Sequence, residues 1–214
     1  MKISKTIFLT VLLALLLCSI SSVASAYTYN REAAATYAYN NALKDVPNSA
    51  YFQNAGGDCT NFASHCLKAG GWVYSVDKYV PTYKAYKSDL SWYFYSTSPG
   101  CKSYSWGGAQ NMYNFLSKSG RATAVSVTYN LGKLEKGDII QSDTGVNGKF
   151  NGWDHTMVVS DKRNGILYLS YHNDNVRDIS FDAMKAKMES QANGQPVRYI
   201  GWHIKDTYSN SYSY

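Results

Sequence analysis

Cys59 and the histidines His65, His155, His172 and His203 are the side chains best suited to nucleophilic chemistry. The sulfur lies in Gly56-Gly57-Asp58-Cys59-Thr60-Asn61-Phe62, where two glycines relax the backbone just ahead of an apolar helical stripe (Phe62, Ala63, Cys66, Leu67). In the first turn of that helix Cys59 meets unpaired backbone N–H groups and the positive end of the helix dipole, which favour a thiolate. A free thiol with a pKa near ~8.5 is only a few per cent ionised at neutral pH, so a depressed value would change the main species. The same N–H groups could stabilise an oxyanion during acyl transfer. The competing reading of Cys59 is a half-cystine or an inert buried thiol.

A thiol hydrolase also needs an imidazole beside the sulfur to take and return protons. His155 is the best candidate, because it opens a strand after the loop Gly145–Asp154, where a side chain can reach a cleft. Asn164-Gly165 then marks a hairpin to a strand beginning at Ile166. A three-residue loop, Arg163-Asn164-Gly165, sets Met157 opposite Tyr171, Val159 opposite Leu169 and His155 opposite Asn173. A two-residue loop, Asn164-Gly165, would set Met157 opposite His172 and mix the apolar and polar faces, which burial disfavours. Asn173 is therefore the expected orienting residue, accepting from the imidazole. Asp174 is the fallback if the shorter loop holds. The competing reading is that Asn173 merely starts a turn.

The elements that must position these groups follow from periodicity. Helices are expected over residues 27–45 with Asn30 as N-cap, over Cys59–Ala69 stopped by Gly70-Gly71, over Gly108–Ser119, and over Phe181–Gln191. Period-two patterns predict strands at Ala124–Tyr129, Asp138–Ser142, His155–Asp161, Ile166–Asn173 and Val197–Ile204. Helices first and strands afterwards imply an α+β domain with an antiparallel sheet. The stretch 72–105, rich in Tyr, Trp and Ser, has no readable period.

Composition narrows the class. The chain has 214 residues, 45% of them apolar, enough for one sizeable core and against a wholly disordered chain. Lys2 and Lys5 precede the apolar run Ile7–Leu17, and Ala24-Ser25-Ala26 completes the pattern of a secretory signal peptide over residues 1–26. The domain is then expected over 27–205, followed by a Tyr/Ser-rich tail over 206–214. The formal net charge of +6 is spread along the chain, which suits loose attraction to an anionic cell wall and is too diffuse for nucleic acid. An exported, monomeric protein without stable membrane insertion is expected. Beyond the signal the cysteines are Cys59, Cys66 and Cys101, an odd number that leaves at least one thiol without an internal partner. Cys66 is either core packing or a partner of Cys101. The loop Asp143-x-Gly145-x-Asn147-Gly148-x-Phe150-Asn151-x-x-Asp154 has the spacing of an EF-hand calcium loop. Gly145 lacks the third-position ligand and Asp154 is shorter than the usual glutamate, so a plain loop is favoured, and neither metal nor cofactor is expected.

Three blocks carry a family resemblance: Gly57-Asp58-Cys59-Thr60-Asn61-Phe62-Ala63-Ser64-x-Cys66-Leu67-x-Ala69-Gly70-Gly71-Trp72, Lys136-Gly137-Asp138-Ile139-Ile140-Gln141, and Trp153-Asp154-His155-Thr156 with Ser170-Tyr171-His172-Asn173-Asp174. Together with Tyr29-Asn30-Arg31 and Ala34, Tyr37 and Ala38, the sequence resembles the bacterial putative amidase domain family, itself similar to papain-like cell-wall hydrolases including the CHAP amidases. The resemblance implies a papain-like fold, with N-terminal helices and a nucleophile helix packed on an antiparallel sheet. In it the second strand supplies a histidine and the third a polar orienter, matching Cys59, His155 and Asn173. Relatives often carry an extra residue between the histidine and the Asn-Asp pair, which keeps His172 and Asp174 open as third members. The expected activity is cysteine-dependent hydrolysis of an amide bond in cell-wall peptide or a related substrate. The alternative is a non-catalytic secreted module that binds wall polymer or carbohydrate through surface Tyr and Trp.

Overall fold

Helices come first and strands afterwards, as the change of period predicts. The computed structural model describes residues 26–209; the expected signal peptide and the end of the tail lie outside the described residues. In chain order the elements are β1 (Ala26–Thr28), α1 (Arg31–Asn41), α2 (Ser49–Asn54), α3 (Cys59–Ala69), α4 (Tyr104–Gly107), α5 (Ala109–Lys118), β2 (Ala122–Val125), α6 (Val127–Asn130), β3 (Ile139–Thr144), β4 (His155–Arg163), β5 (Ile166–Tyr171), β6 (Val176–Ser180), α7 (Phe181–Gln191), β7 (Val197–Ile204) and β8 (Thr207–Ser209). Strands β2 to β7 form one antiparallel sheet in the order β2-β7-β3-β4-β5-β6. The architecture is α+β. Among the described residues no helix is long and apolar enough to cross a membrane.

Two cores lie on opposite faces of the sheet, as strand alternation requires. Ile139, Val158, Trp202 and Ile204 pack against Ala34 and Ala38 of α1, Phe62, Ala63, Cys66 and Leu67 of α3, and Phe115 of α5. Ile140, Met157, Val159, Leu169 and Tyr171 face the other way, against Phe181 and Met184 of α7. Asn30 caps α1 by accepting the Ala33 N–H at 2.9 Å. All three cysteines of the described residues are free, with Cys66 fully buried in the α3 core.

Several boundaries differ from expectation, each for a packing reason. The first helix begins at Arg31 because Ala26–Thr28 pairs with Thr207–Ser209, so part of the expected tail is sheet, with Tyr208 buried. The expected strand Ala124–Tyr129 stops at Val125 and turns into α6. That departure lets Leu134 come back over Gly201, where a Cβ would lie 2.7 Å from Leu134.

The hairpin loop is the shorter one. Arg163 pairs with Ile166, leaving Asn164 (φ 51°) and Gly165 (φ 79°) as a two-residue turn with both positions left-handed. A bulge between Val159 and Asp161 then shifts the register by one, so Val159 faces Leu169 and Val158 faces Ser170. The predicted register is thus reached by a different route at Val159–Leu169 and Val158–Ser170, while the expected pairs Met157–Tyr171 and His155–Asn173 are not formed among the described residues.

Asp138 ties the helical layer to the sheet. Its fully buried carboxylate accepts from Arg31 Nη1 at 2.6 Å, His203 Nδ1 at 2.8 Å, and the Ile204 and Glu135 N–H groups at 2.9 and 2.8 Å. Asp138→Ala is expected to lower the unfolding free energy by about 3–5 kcal/mol in urea titrations, because it deprives the half-buried Arg31 of its buried partner and leaves the Ile204 and Glu135 N–H groups without their acceptor, although Arg31 keeps Asp206. Breaking the exposed Lys185–Glu189 pair with Lys185→Ala should cost no more than about 0.5 kcal/mol.

Candidate active site around Cys59

Cys59 is the first residue of α3 and is 4% exposed. Asp58, just before it, has a fully buried side chain bound on every side. Its Oδ2 accepts from Ser49 Oγ at 2.6 Å and His172 Nδ1 at 2.6 Å, and its Oδ1 accepts from Asn61 Nδ2 at 2.8 Å. His172 also stacks on Phe62 with ring centroids 4.1 Å apart, while its Nε2 faces the Asn41 carbonyl at 3.2 Å. This histidine serves the turn before Cys59 as a strut.

Pairing of β5 onto β4 runs only to Val158–Ser170. Beyond that point the Thr156 backbone faces the Cys59 sulfur closely enough to favour its anion, and the Thr60 hydroxyl lies 3.7 Å from it. The Thr60 and Thr156 hydroxyls meet at 2.9 Å, locking the helix start to the strand. Thr156 was not singled out by sequence; the signal for it is position alone, one residue after the candidate base.

Burial pushes the Cys59 thiol up from its usual range, opposed by the Thr60 and Thr156 hydrogen bonds and reinforced by the Asp58 charge. The expected resting thiolate is therefore corrected. A helix N-terminus favours the anion, but desolvation of a nearly enclosed sulfur is the larger effect.

His155 is half-buried at the start of β4, paired with Ser142. Its ring packs edge-on against Tyr171 with centroids 5.0 Å apart, and its buried Nε2 has no hydrogen-bond partner. Desolvation lowers its pKa to about 4, with Asp174 pulling it up and Lys187 pushing it down. No hydrogen bond joins this imidazole to the Cys59 sulfur among the described residues; the two flank the same stretch of β4 backbone.

Asn173 bridges the two groups in space. Its Oδ1 accepts the Asp58 N–H at 2.7 Å, and it lines a cavity of about 230 Å³ with His155, Asp154, Tyr171, Asp174 and Gln191. No hydrogen bond joins Asn173 to His155 among the described residues, so the expected orienting contact is not made. Asp174 instead pairs with Lys187 at 2.7 Å on the same rim.

The loop from Asp143 to Asp154 is closed by protein contacts. Asp143 Oδ2 accepts from Arg198 Nε and Nη2 at 2.8 and 2.6 Å, and Asp154 Oδ2 accepts the Thr144 N–H at 2.9 Å. Among the described residues no group of three or more His, Cys, Asp or Glu side chains is placed to hold a metal.

The His155 shift has a consequence for stability. A histidine that resists protonation when folded contributes stability fully present above about pH 6.5, which is lost as pH falls toward about 4. The wild-type melting temperature should fall across that window, and His155→Gln should flatten the fall, by up to about 3 kcal/mol at its acid end.

Residues 28–195 match the family model described as the putative amidase domain. Two Bacillus subtilis (strain 168) relatives, the uncharacterized proteins YjcM and YhbB, are each 30% identical to the chain, over 165 and 184 residues. Those alignments cover 74% and 85% of this chain but 34% and 52% of the relatives, so the chain spans about a third to a half of their length. No solved structure matches.

Proposed function

The chain belongs to the putative amidase domain family, and from that premise we propose that it is a cysteine-dependent amide hydrolase. Cys59 is the nucleophile, His155 the base, and Asn173 the third polar member of the site. The reading takes cell-wall peptide or a related amide as substrate, a papain-like arrangement of helix and sheet, and an exported chain.

The observation that carries it is the start of α3. There a lone thiol is held at a glycine-led helix N-terminus, against the strand that opens with His155 and beside the cavity that His155 and Asn173 line. Both groups rest neutral, so the chemistry is general-base catalysis in which proton removal accompanies attack. Proton transfer requires the His155 ring to swing from Tyr171 toward the sulfur, and such hydrogen bonds commonly tighten only once substrate is bound. Cys59 then attacks the carbonyl, the imidazolium protonates the leaving amine, and water releases the acyl group.

A second reading has its own support. The thiol is nearly enclosed, its pKa is raised, and no hydrogen bond links it to His155, all of which suit a non-catalytic wall- or carbohydrate-binding module. Exposed Tyr79, Tyr83 and Tyr95 supply rings for such binding.

Incubation with peptidoglycan and with casein, followed by mass spectrometry of the products, tests the choice. Cys59→Ala should abolish amide cleavage while leaving the melting transition in place, and His155→Ala should slow it by about 10²-fold or more. Unchanged cleavage by Cys59→Ala would sink the hydrolase reading.

A further inference from the structure

The Asn173 amide is anchored through one end only. Its Oδ1 is taken by the Asp58 N–H, and among the described residues its Nδ2 donates no hydrogen bond. The backbone there is left-handed, with φ 83°, so an uncommon conformation holds the amide in place. Gly57 makes the seat possible. A Cβ at that position would lie 2.9 Å from Asn173 Nδ2 and 3.1 Å from its Oδ1.

The free donor thus sits against the turn that leads into Cys59, at the edge of the cavity holding His155. Next to it, the Cys59 N–H belongs to the first helical turn and has no helical acceptor. Resting on the reading of Cys59 as nucleophile, we propose that Asn173 Nδ2 is an oxyanion donor, acting with the Cys59 N–H on the carbonyl oxygen under attack. An orienting role would need Oδ1 to face the imidazole, whereas that oxygen is turned to Asp58.

The sulfur forms a bond to the carbonyl carbon as the C=O π pair moves onto oxygen, and the thiol proton passes to His155. Collapse restores C=O as the C–N bond breaks, and the leaving amine departs with the proton returned from the His155 imidazolium. Asn173 is exposed, and its donor is held in place by the Asp58 amide, so it can meet the oxyanion with little reorientation of its own, an effect worth about 10²–10³-fold in comparable sites.

Two reagents that share the sulfur but differ in transition state separate this role from a structural one. Acetyl transfer from p-nitrophenyl acetate passes through a tetrahedral oxyanion; alkylation by iodoacetamide displaces iodide and forms none. Rates are compared at the thiolate plateau of each variant's pH profile, with Cys59→Ala as background. Asn173→Asp, whose carboxylate can still accept the Asp58 N–H but has no donor at the other end, should lose about 10²-fold in acylation while alkylation stays within about twofold. An equal fall in both reactions, or no fall in acylation, overturns the proposal. Absence of Cys59-dependent acylation in the wild-type protein would remove the nucleophile reading itself, and the donor role with it.

Discussion

Residue 58 is the point through which the two halves of the chain are joined. Its amide is bound by Asn173 and its carboxylate by His172, so both ends of Asp58 are gripped by the turn that follows β5. A carboxylate with no solvent exposure is tolerable only when charge-assisted hydrogen bonds replace its lost hydration, and Ser49 and Asn61 complete that set. Because these bonds are short and buried, the start of α3 cannot drift relative to the sheet. The position of Cys59 against Thr156 follows from that constraint.

Enclosure then decides the electrostatics of the site. The helix N-terminus and the hydrogen bonds from Thr60 and Thr156 pull the thiol toward its anion, yet desolvation outweighs them. The same low-dielectric surroundings push His155 the other way, down to about 4. A preformed thiolate–imidazolium pair is unfavourable where both charges would be stripped of water and lie out of contact. Two neutral side chains are the resting arrangement this environment favours. The Nε2 of His155, lying in a cavity wall with Asn173, is among the buried polar atoms left without a hydrogen-bond partner in that resting state.

The hairpin of β4 and β5 illustrates how local and tertiary demands combine. Asn164-Gly165 is suited to a two-residue turn with both residues left-handed, and the chain makes that turn. Left uncorrected, the resulting register would put His172 opposite Met157 and mix the faces. Burial of Val159 against Leu169 demands the other register, and a bulge between Val159 and Asp161 reconciles the two. The facing residues were legible from hydrophobic pattern because burial sets them. The bulge was not, since it is a compromise between two interactions that are each locally satisfied.

Helix α3 was readable from residues 56–71, because glycines bound it and its apolar stripe has helical spacing, and α7 from its periodicity. The sequence by itself also marked Cys59, His155 and Asn173 as the residues with chemistry to offer, since few side chains can do that work. Strands β1 and β8 were hidden, being three residues each with no period, and they form only because distant segments meet. What Asn173 binds was likewise decided in three dimensions. An amide has both a donor and an acceptor end, and only the packed structure, by presenting the Asp58 N–H to one of them, determines which end remains free.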